Sequence, residues 1–177
     1  WWMFRVFGHD KVSVLDGGLP KWEKEGGKVS SKFVPPDSKI FVPKFRQKLV
    51  RNLSDIFDLL DKNHETIIDA RTAGRFTGVD PEPREGMRSG HMPGAINIPF
   101  SKLLSADDKT FLTAAELEKQ FSDNLLRMDG PIVTTCGSGV SACIIALALF
   151  LIGKEDVSVY DGSWSEWGAL DHTPIIK

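Results

Sequence analysis

Cysteine is scarce in this chain of 177 residues, which holds only Cys136 and Cys143. Both fall near one helix, where they cannot easily close a disulfide with each other. That argues against a disulfide-stapled secreted fold. It favours a reducing compartment, cytoplasmic or mitochondrial. Histidine is also sparse, with four in all. Two cysteines without clustered histidines argue against structural zinc, and no metal or cofactor is expected. Excess charge is missing too. A net charge of −2 gives no electrostatic reason for nucleic-acid or membrane binding. A small anionic ligand would have to be held by local arginines. Long apolar runs are absent as well. The longest, residues 140–152, has 13 residues and suits a buried helix better than a bilayer crossing. No signal or transit segment is visible. The chain opens Trp1-Trp2-Met3-Phe4 without an initiator methionine, and that start reads as the middle of a longer protein.

What is present is ordinary globular composition, 41% apolar and 26% charged. One stretch organises it. Residues 131–135 are a proline followed by apolar and β-branched residues, the pattern of a short buried strand. Cys136-Gly137-Ser138-Gly139 follows, and from Val140 an apolar run of helix length begins. Cys136 is thereby placed between a strand end and a helix N-terminus. Unpaired backbone N–H groups and the positive end of the helix dipole gather at such a place. A cysteine there is expected as thiolate, the nucleophilic form. The glycines let successive N–H groups turn inward as an anion nest, and Ser138 and Ser141 can add hydroxyl hydrogen bonds. Cys143 falls inside the apolar run and reads as a packing residue.

A second feature is an internal repeat. Displacing the chain by 145 residues lays Phe7 to Trp22 on Ile152 to Trp167 without a gap. Seven of the sixteen positions are identical, where chance gives about one. Each copy reads as helix end, strand, Asp-Gly turn and Trp-bearing segment. The second copy follows the Cys136 loop and its helix, whereas the first has nothing before it. Residues 1–27 therefore read as the last elements of an N-terminal domain. Residues 28–45, with Pro35, Pro36 and Pro43, read as an extended linker, and 46–177 as a complete domain.

Within that domain, residues 52–63 carry a helical apolar pattern with Asn52 or Ser54 as N-cap. Residues 66–70 and 95–98 read as short strands, with a Gly-, Pro- and Arg-rich loop at 71–94 between them. Thr113 and Glu116 form a capping box for a helix through Phe121. Residues 157–160 are a further strand before the closing Trp segment. Strands alternating with helices imply an α/β domain, with a mainly parallel central sheet flanked by helices on both faces. In such sheets the site lies at the carboxyl ends of the strands, where Asp69, Cys136 and Tyr160 fall.

The loop at 71–94 holds Arg71, Arg75 and Arg84, planar forks suited to a carboxylate. Composition alone favours surface solvation, or pairing with Asp80, Glu82 or Glu85. His91 could act as a base beside a cysteine, but reads better as tying down its own loop. Asp69 reads as the partner of a loop arginine or as a cap. A cysteine-dependent phosphatase needs an arginine six residues after its nucleophile, and Ala142 stands there.

Four motifs together resemble the rhodanese family of sulfurtransferases, specifically its tandem-domain 3-mercaptopyruvate branch. They are Cys136-Gly137-Ser138-Gly139-Val140, Gly74-Arg75-Phe76 with Pro81-Glu82-Pro83-Arg84, Gly90-His91-Met92-Pro93-Gly94-Ala95, and Tyr160-Asp161-Gly162-Ser163-Trp164-Ser165-Glu166-Trp167. The resemblance implies that Cys136 takes sulfur from 3-mercaptopyruvate, releasing pyruvate and leaving a persulfide. It implies that Arg75 and Arg84 bind the donor, with Gly137, Gly139, Val140 and Ser141 forming the cradle. It implicates Ser138 in proton handling. A thiol acceptor such as thioredoxin, or cyanide, would take the sulfur, and a preceding rhodanese domain would pack over the site and supply polar groups. Thiosulfate-using members typically carry basic residues directly after the cysteine, and here Gly137 and Ser138 are neutral. Ser141 stands where the family usually has threonine. A rhodanese-like binding module without catalysis usually lacks the nucleophile, which is present here.

Overall fold

The computed structural model describes residues 1–62, 65–124 and 130–177. Its centre is a five-stranded sheet of β1 (Val50–Arg51), β2 (Thr66–Asp69), β3 (Ile96–Asn97), β4 (Ile132–Thr135) and β5 (Val157–Tyr160). The strand order is β1-β5-β4-β2-β3, and every pairing is parallel. The helices are α1 (Trp2–Val6), α2 (Gly18–Lys24), α3 (Leu53–Lys62), α4 (Ala73–Thr77), α5 (Ala114–Asp123), α6 (Ala142–Leu151) and α7 (Ser163–Trp167).

Strand side chains alternate between two cores, as a period of two requires. Ile68, Ile132, Val157 and Val159 pack with Leu117 and Phe121 of α5 and with Ile145 and Leu149 of α6. Ile67, Val133 and Tyr160 pack with Ile56 and Leu59 of α3 and with Trp164 and Trp167 of α7. The sheet is thus covered on both faces, which is why β4 and β5 are buried at every position. Helix α6 has no polar face. It buries Ala142, Ile145, Ala146, Ala148 and Leu149 toward the sheet.

The helix expected over 52–63 is Leu53–Lys62, and residue 63 lies outside the described residues. Its cap is Asn52, not Ser54: Asn52 Oδ1 accepts from the Asp55 N–H at 3.0 Å, and Asp55 Oδ2 accepts from the Asn52 N–H at 2.8 Å. The capping box of α5 has both of its reciprocal bonds. Helix α6 begins at Ala142 rather than Val140, because Gly139 lies at φ +81° and breaks the helical path. The loop expected at 71–94 contains the short helix α4, closed by Gly78 at φ +76°.

Residues 28–45 contain no helix or strand and are mostly exposed. The two repeat copies differ in one element. Gly8 and Gly153 end their helices at φ +86° and +88°, and Trp22 and Trp167 lie on helices α2 and α7. Residues 157–160 are β5, but the matching residues 12–15 are not a strand. β5 has a neighbour on each side, β1 and β4, whereas 12–15 pairs with no described strand. Strand geometry depends on those ladder partners, and Val14 and Leu15 are left half exposed. Helix α1 packs instead on α6. The Trp1 and Phe150 rings lie 5.1 Å apart with the Arg5 guanidinium against both, and Trp2 Nε1 donates to the Leu49 carbonyl at 3.0 Å.

Candidate functional site

The carboxyl ends of β4, β2 and β5 bring Cys136, Asp69 and Tyr160 to one edge of the sheet. Cys136 lies beneath its own loop and is 2% exposed. The first turn of α7 fixes that loop from behind. The Cys136 N–H donates to Ser163 Oγ at 3.3 Å, and the Cys136 carbonyl accepts from the Trp164 N–H at 2.9 Å. The Gly137 carbonyl accepts from the Ser165 N–H at 2.8 Å and from Ser165 Oγ at 2.5 Å. In a trans peptide the C=O and the following N–H point in opposite directions. With the Cys136 and Gly137 carbonyls turned toward α7, the N–H groups of Gly137 and Ser138 face away from it. Among the described residues, none of the six N–H groups from Gly137 to Ala142 donates to a protein acceptor. They form a set of free donors at the N-terminus of the ten-residue helix α6.

The side chains of this loop are less engaged than its backbone. No hydroxyl bond from Ser138 or Ser141 occurs among the described residues; Ser138 is exposed, and Ser141 begins α6 without a side-chain cap. Gly139 is buried and Val140 is 74% exposed. Cys143 points back into the loop, its Sγ donating to the Gly139 carbonyl at 3.3 Å. Burial, and to a lesser extent the neighbouring Cys136, push its thiol up to about 11.

Two cavities flank the loop, and Ser138 lines both. The smaller, about 120 Å³, is lined by Arg75, Arg84, Gly137, Ser138, Trp164 and Ser165, together with Glu82, Pro83 and Met87. Arg75 and Arg84, nine positions apart in sequence, thus meet at the cysteine loop. Arg75 approaches so closely that a Cβ on Gly137 would sit 3.0 Å from its Nη2. Arg84 Nη1 donates to Ser165 Oγ, which in turn donates to the Gly137 carbonyl. Arg84 itself is exposed. The larger cavity, about 600 Å³, is an apolar groove between α6 and the N-terminal segment, lined by Trp1, Trp2, Val14, Phe111, Val140 and Leu147 among others.

Arg71 is not a surface group. It is 2% exposed, and its side chain forms the centre of a buried charge chain. Its Nη2 meets Asp69 Oδ2 at 2.6 Å and the Gly90 carbonyl at 2.8 Å, and its Nη1 meets Glu82 Oε1 at 2.8 Å. Its guanidinium lies 4.1 Å from the Trp164 ring centroid. Solvation failed as an expectation because partners from β2, the loop at 82 and α7 converge on one group. The pairing with Glu82 and the Asp69 bond are both present. His91 ties down its loop: Nδ1 donates to the Phe76 carbonyl at 2.8 Å, the ring stacks on Phe76, and its backbone pairs with Ile176. It lines neither cavity.

Sequence reasoning gave no site role to Ser163, Trp164 and Ser165. The signal was the repeated Asp-Gly turn followed by a Trp segment, directly after a strand that ends beside Cys136.

Residues 53–170 match the rhodanese-like domain family. The chain is 43% identical over 198 residues to thiosulfate/3-mercaptopyruvate sulfurtransferase 2 of Arabidopsis thaliana, an alignment covering 99% of this chain and 57% of that protein. It is 43% identical to the rat 3-mercaptopyruvate sulfurtransferase over 167 residues, covering 94% of this chain and 56% of the relative. Identity to the rat thiosulfate sulfurtransferase is also 43%, over 168 residues and with the same two coverages of 94% and 56%. The chain thus spans little more than half the length of the curated relatives it matches. Among solved structures it resembles SseA of Escherichia coli, described with the catalytic mechanism of 3-mercaptopyruvate sulfotransferases, at TM-score 0.79 and 37% identity, covering 94% of this chain and 61% of that one. A parallel sheet of this order, a cysteine loop at the end of its central strand and a family match across most of that domain lead to one assignment: the chain belongs to the rhodanese family.

Proposed function

We propose that this chain carries the catalytic unit of a sulfurtransferase, with 3-mercaptopyruvate as sulfur donor and Cys136 as sulfur carrier. The observation that carries the reading is the cysteine loop, whose six N–H groups from Gly137 to Ala142 have no protein acceptor among the described residues, beside a cavity that holds Arg75 and Arg84. The Cys136 thiolate attacks the donor sulfur. The S–C bond breaks, the electron pair passes to the methylene carbon, and the donor thiol proton ends on that carbon. Pyruvate leaves and Cys136 holds a persulfide anion, so atoms and charge balance. The loop N–H groups stabilise that anion as preorganised dipoles. Arg75 and Arg84 hold the donor carboxylate and keto oxygen, and Ser138, exposed at both cavities, serves the proton transfer. A small thiol, a thioredoxin-like protein or cyanide then takes the terminal sulfur and restores the thiolate.

Neutral Gly137 and Ser138 favour a monoanionic donor over dianionic thiosulfate, a choice that equal identity to both kinds of relative leaves open. Residues 1–27 are read as the end of a preceding rhodanese domain, joined through the linker 28–45, and that domain as a partner of the site. A reducing compartment suits a working thiolate; no described helix is long and apolar enough to cross a membrane.

Mass spectrometry of the protein after addition of 3-mercaptopyruvate tests the reading. The expected result is one added sulfur on Cys136 with release of one pyruvate; no adduct, with or without a preceding domain supplied, would sink it. A higher kcat/KM for thiosulfate would refute the donor preference. Arg75→Ala, which removes a partly buried charge, should lower kcat/KM by roughly 2–3 kcal/mol, whereas exposed Arg84→Ala should cost about 1 kcal/mol.

A further inference from the structure

Arginine is a long, rotamer-rich side chain, and Arg75 stands on a helix of only five residues with its side chain 24% exposed. Something must hold it over Gly137. The holder is Glu82, whose side chain is 3% exposed. Glu82 Oε2 accepts from Arg75 Nη2 at 2.5 Å and Oε1 accepts from Arg75 Nε at 3.2 Å. On its other side, Glu82 Oε1 accepts from Arg71 Nη1 at 2.8 Å. Arg71 is itself fixed by Asp69, by the Gly90 carbonyl and by the Trp164 ring. Four charges of alternating sign, Asp69, Arg71, Glu82 and Arg75, therefore run from the end of β2 to the rim of the cysteine loop.

The geometry of the last link is informative. Glu82 engages the Nε–Nη2 edge of the Arg75 guanidinium. Nη1 has no partner among the described residues; both amino groups face the loop, Nη2 at 3.0 Å and Nη1 at 3.6 Å from the position a Gly137 Cβ would take. We propose that Glu82 is the positioning residue for Arg75: by occupying one edge of the guanidinium, it aims the free Nη1 at the cavity where an anionic donor binds. This rests on the donor-binding reading of Arg75 given above. Glu82 touches no reacting atom in this scheme and acts through Arg75 alone. A buried carboxylate of this kind cannot be replaced by water, since it also satisfies the buried guanidinium of Arg71.

The test uses alkylation of Cys136, which needs no sulfur transfer. Iodoacetate carries a carboxylate and iodoacetamide does not, so their rate ratio at Cys136 reports how well an arginine is aimed at an incoming anion. Glu82→Gln keeps the shape and one acceptor but loses the charge. The ratio should fall about tenfold with the iodoacetamide rate unchanged, the scale of one charge-assisted hydrogen bond. Arg75→Ala should lower it similarly, and the double variant no further than either single, since both act through one contact. With 3-mercaptopyruvate, Glu82→Gln should raise KM and leave kcat near wild type. If Glu82→Gln does not fold, Glu82→Asp, which keeps the charge and withdraws it by one methylene, should give a ratio between wild type and Arg75→Ala. A fall in Arg75→Ala without one in the Glu82 variants would overturn the role of Glu82 alone. An unchanged ratio in Arg75→Ala would overturn the donor-binding reading and the proposal with it. Equal loss of both alkylation rates would show a merely structural role and also overturn the proposal.

Discussion

Gly139→Ala probes the cysteine loop at its tightest point. Gly139 has φ +81°, a conformation that costs an L-residue about 1–2 kcal/mol. Its new Cβ would sit 3.1 Å from the Asp161 carbonyl oxygen and 3.7 Å from Asp161 Oδ1. The carbonyl cannot easily retreat, because Asp161 directly follows β5 and its N–H donates to the Arg51 carbonyl at 3.3 Å. Adding about 1 kcal/mol for that crowding gives a total of roughly 2–3 kcal/mol. For a domain of this size the melting temperature should fall by about 5–10 °C. The loop could instead escape by turning the peptide out of the left-handed region. That would swing the Val140 N–H out of the donor set and cut the rate at which iodoacetamide alkylates Cys136 at neutral pH. The two measurements are therefore complementary, and at least one must move. Ser138→Ala, at an exposed position one residue away, should leave the melting temperature unchanged. A Gly139→Ala protein that melts within about 1 °C of wild type and alkylates at the same rate would refute the left-handed requirement on which the donor set depends.

Two further outcomes follow from the buried groups. Arg71→Met strips Asp69 and Glu82 of their shared cation while keeping much of the side-chain volume; urea unfolding should show a loss of about 3–5 kcal/mol, and a loss under 1 kcal/mol would mean the charge chain is not a stabilising unit. Cys143 is an acid whose value rises from 9.0 to about 11 on folding, because burial disfavours the thiolate. The folded protein thus holds that proton more tightly than the unfolded chain. The contribution to stability is whole below about pH 9 and is lost as pH rises toward about 11. Cys143→Ala should flatten that part of the unfolding profile, and peptide mapping at pH 8 should find iodoacetamide on Cys136 before Cys143. Labelling of Cys143 first would contradict the raised value of its thiol, since Cys143 is the less buried of the two cysteines.

The parts of this fold that could be read in advance are those whose causes are local. β2, β4 and β5 are apolar, β-branched and bounded by turn residues, and α5 carries its own cap in Thr113 and Glu116. The cysteine loop was legible for the same reason, since two glycines and a strand before a helix leave few other shapes. What escaped has causes distant in sequence. β1 is two residues long and exists because β5 offers it a ladder. Residues 12–15 share Val, Ser and Val with β5 in the same places, yet form no strand for want of such a ladder. Three of the four residues are the same in the two copies, with Leu15 in place of Tyr160, so most of the difference lies with pairing.

Arg71 and Arg75 show the same rule at the site. As residue types, both belong on the surface, and nothing nearby in sequence marks one as buried and the other as partly open. The distinction arises because Asp69 ends a central strand, Glu82 folds back from a loop and Trp164 comes from the far end of the chain. Arg71 meets all three and is consumed by them. Arg75 lines the cavity and meets only the outer edge of Glu82, and its Nη1 has no partner among the described residues. Burial and exposure at the cavity are therefore divided between two arginines four residues apart by the order of one charge chain. On the proposed reading, a donor arriving at Cys136 meets the arginine at the end of that chain, whose Nη1 has no partner among the described residues.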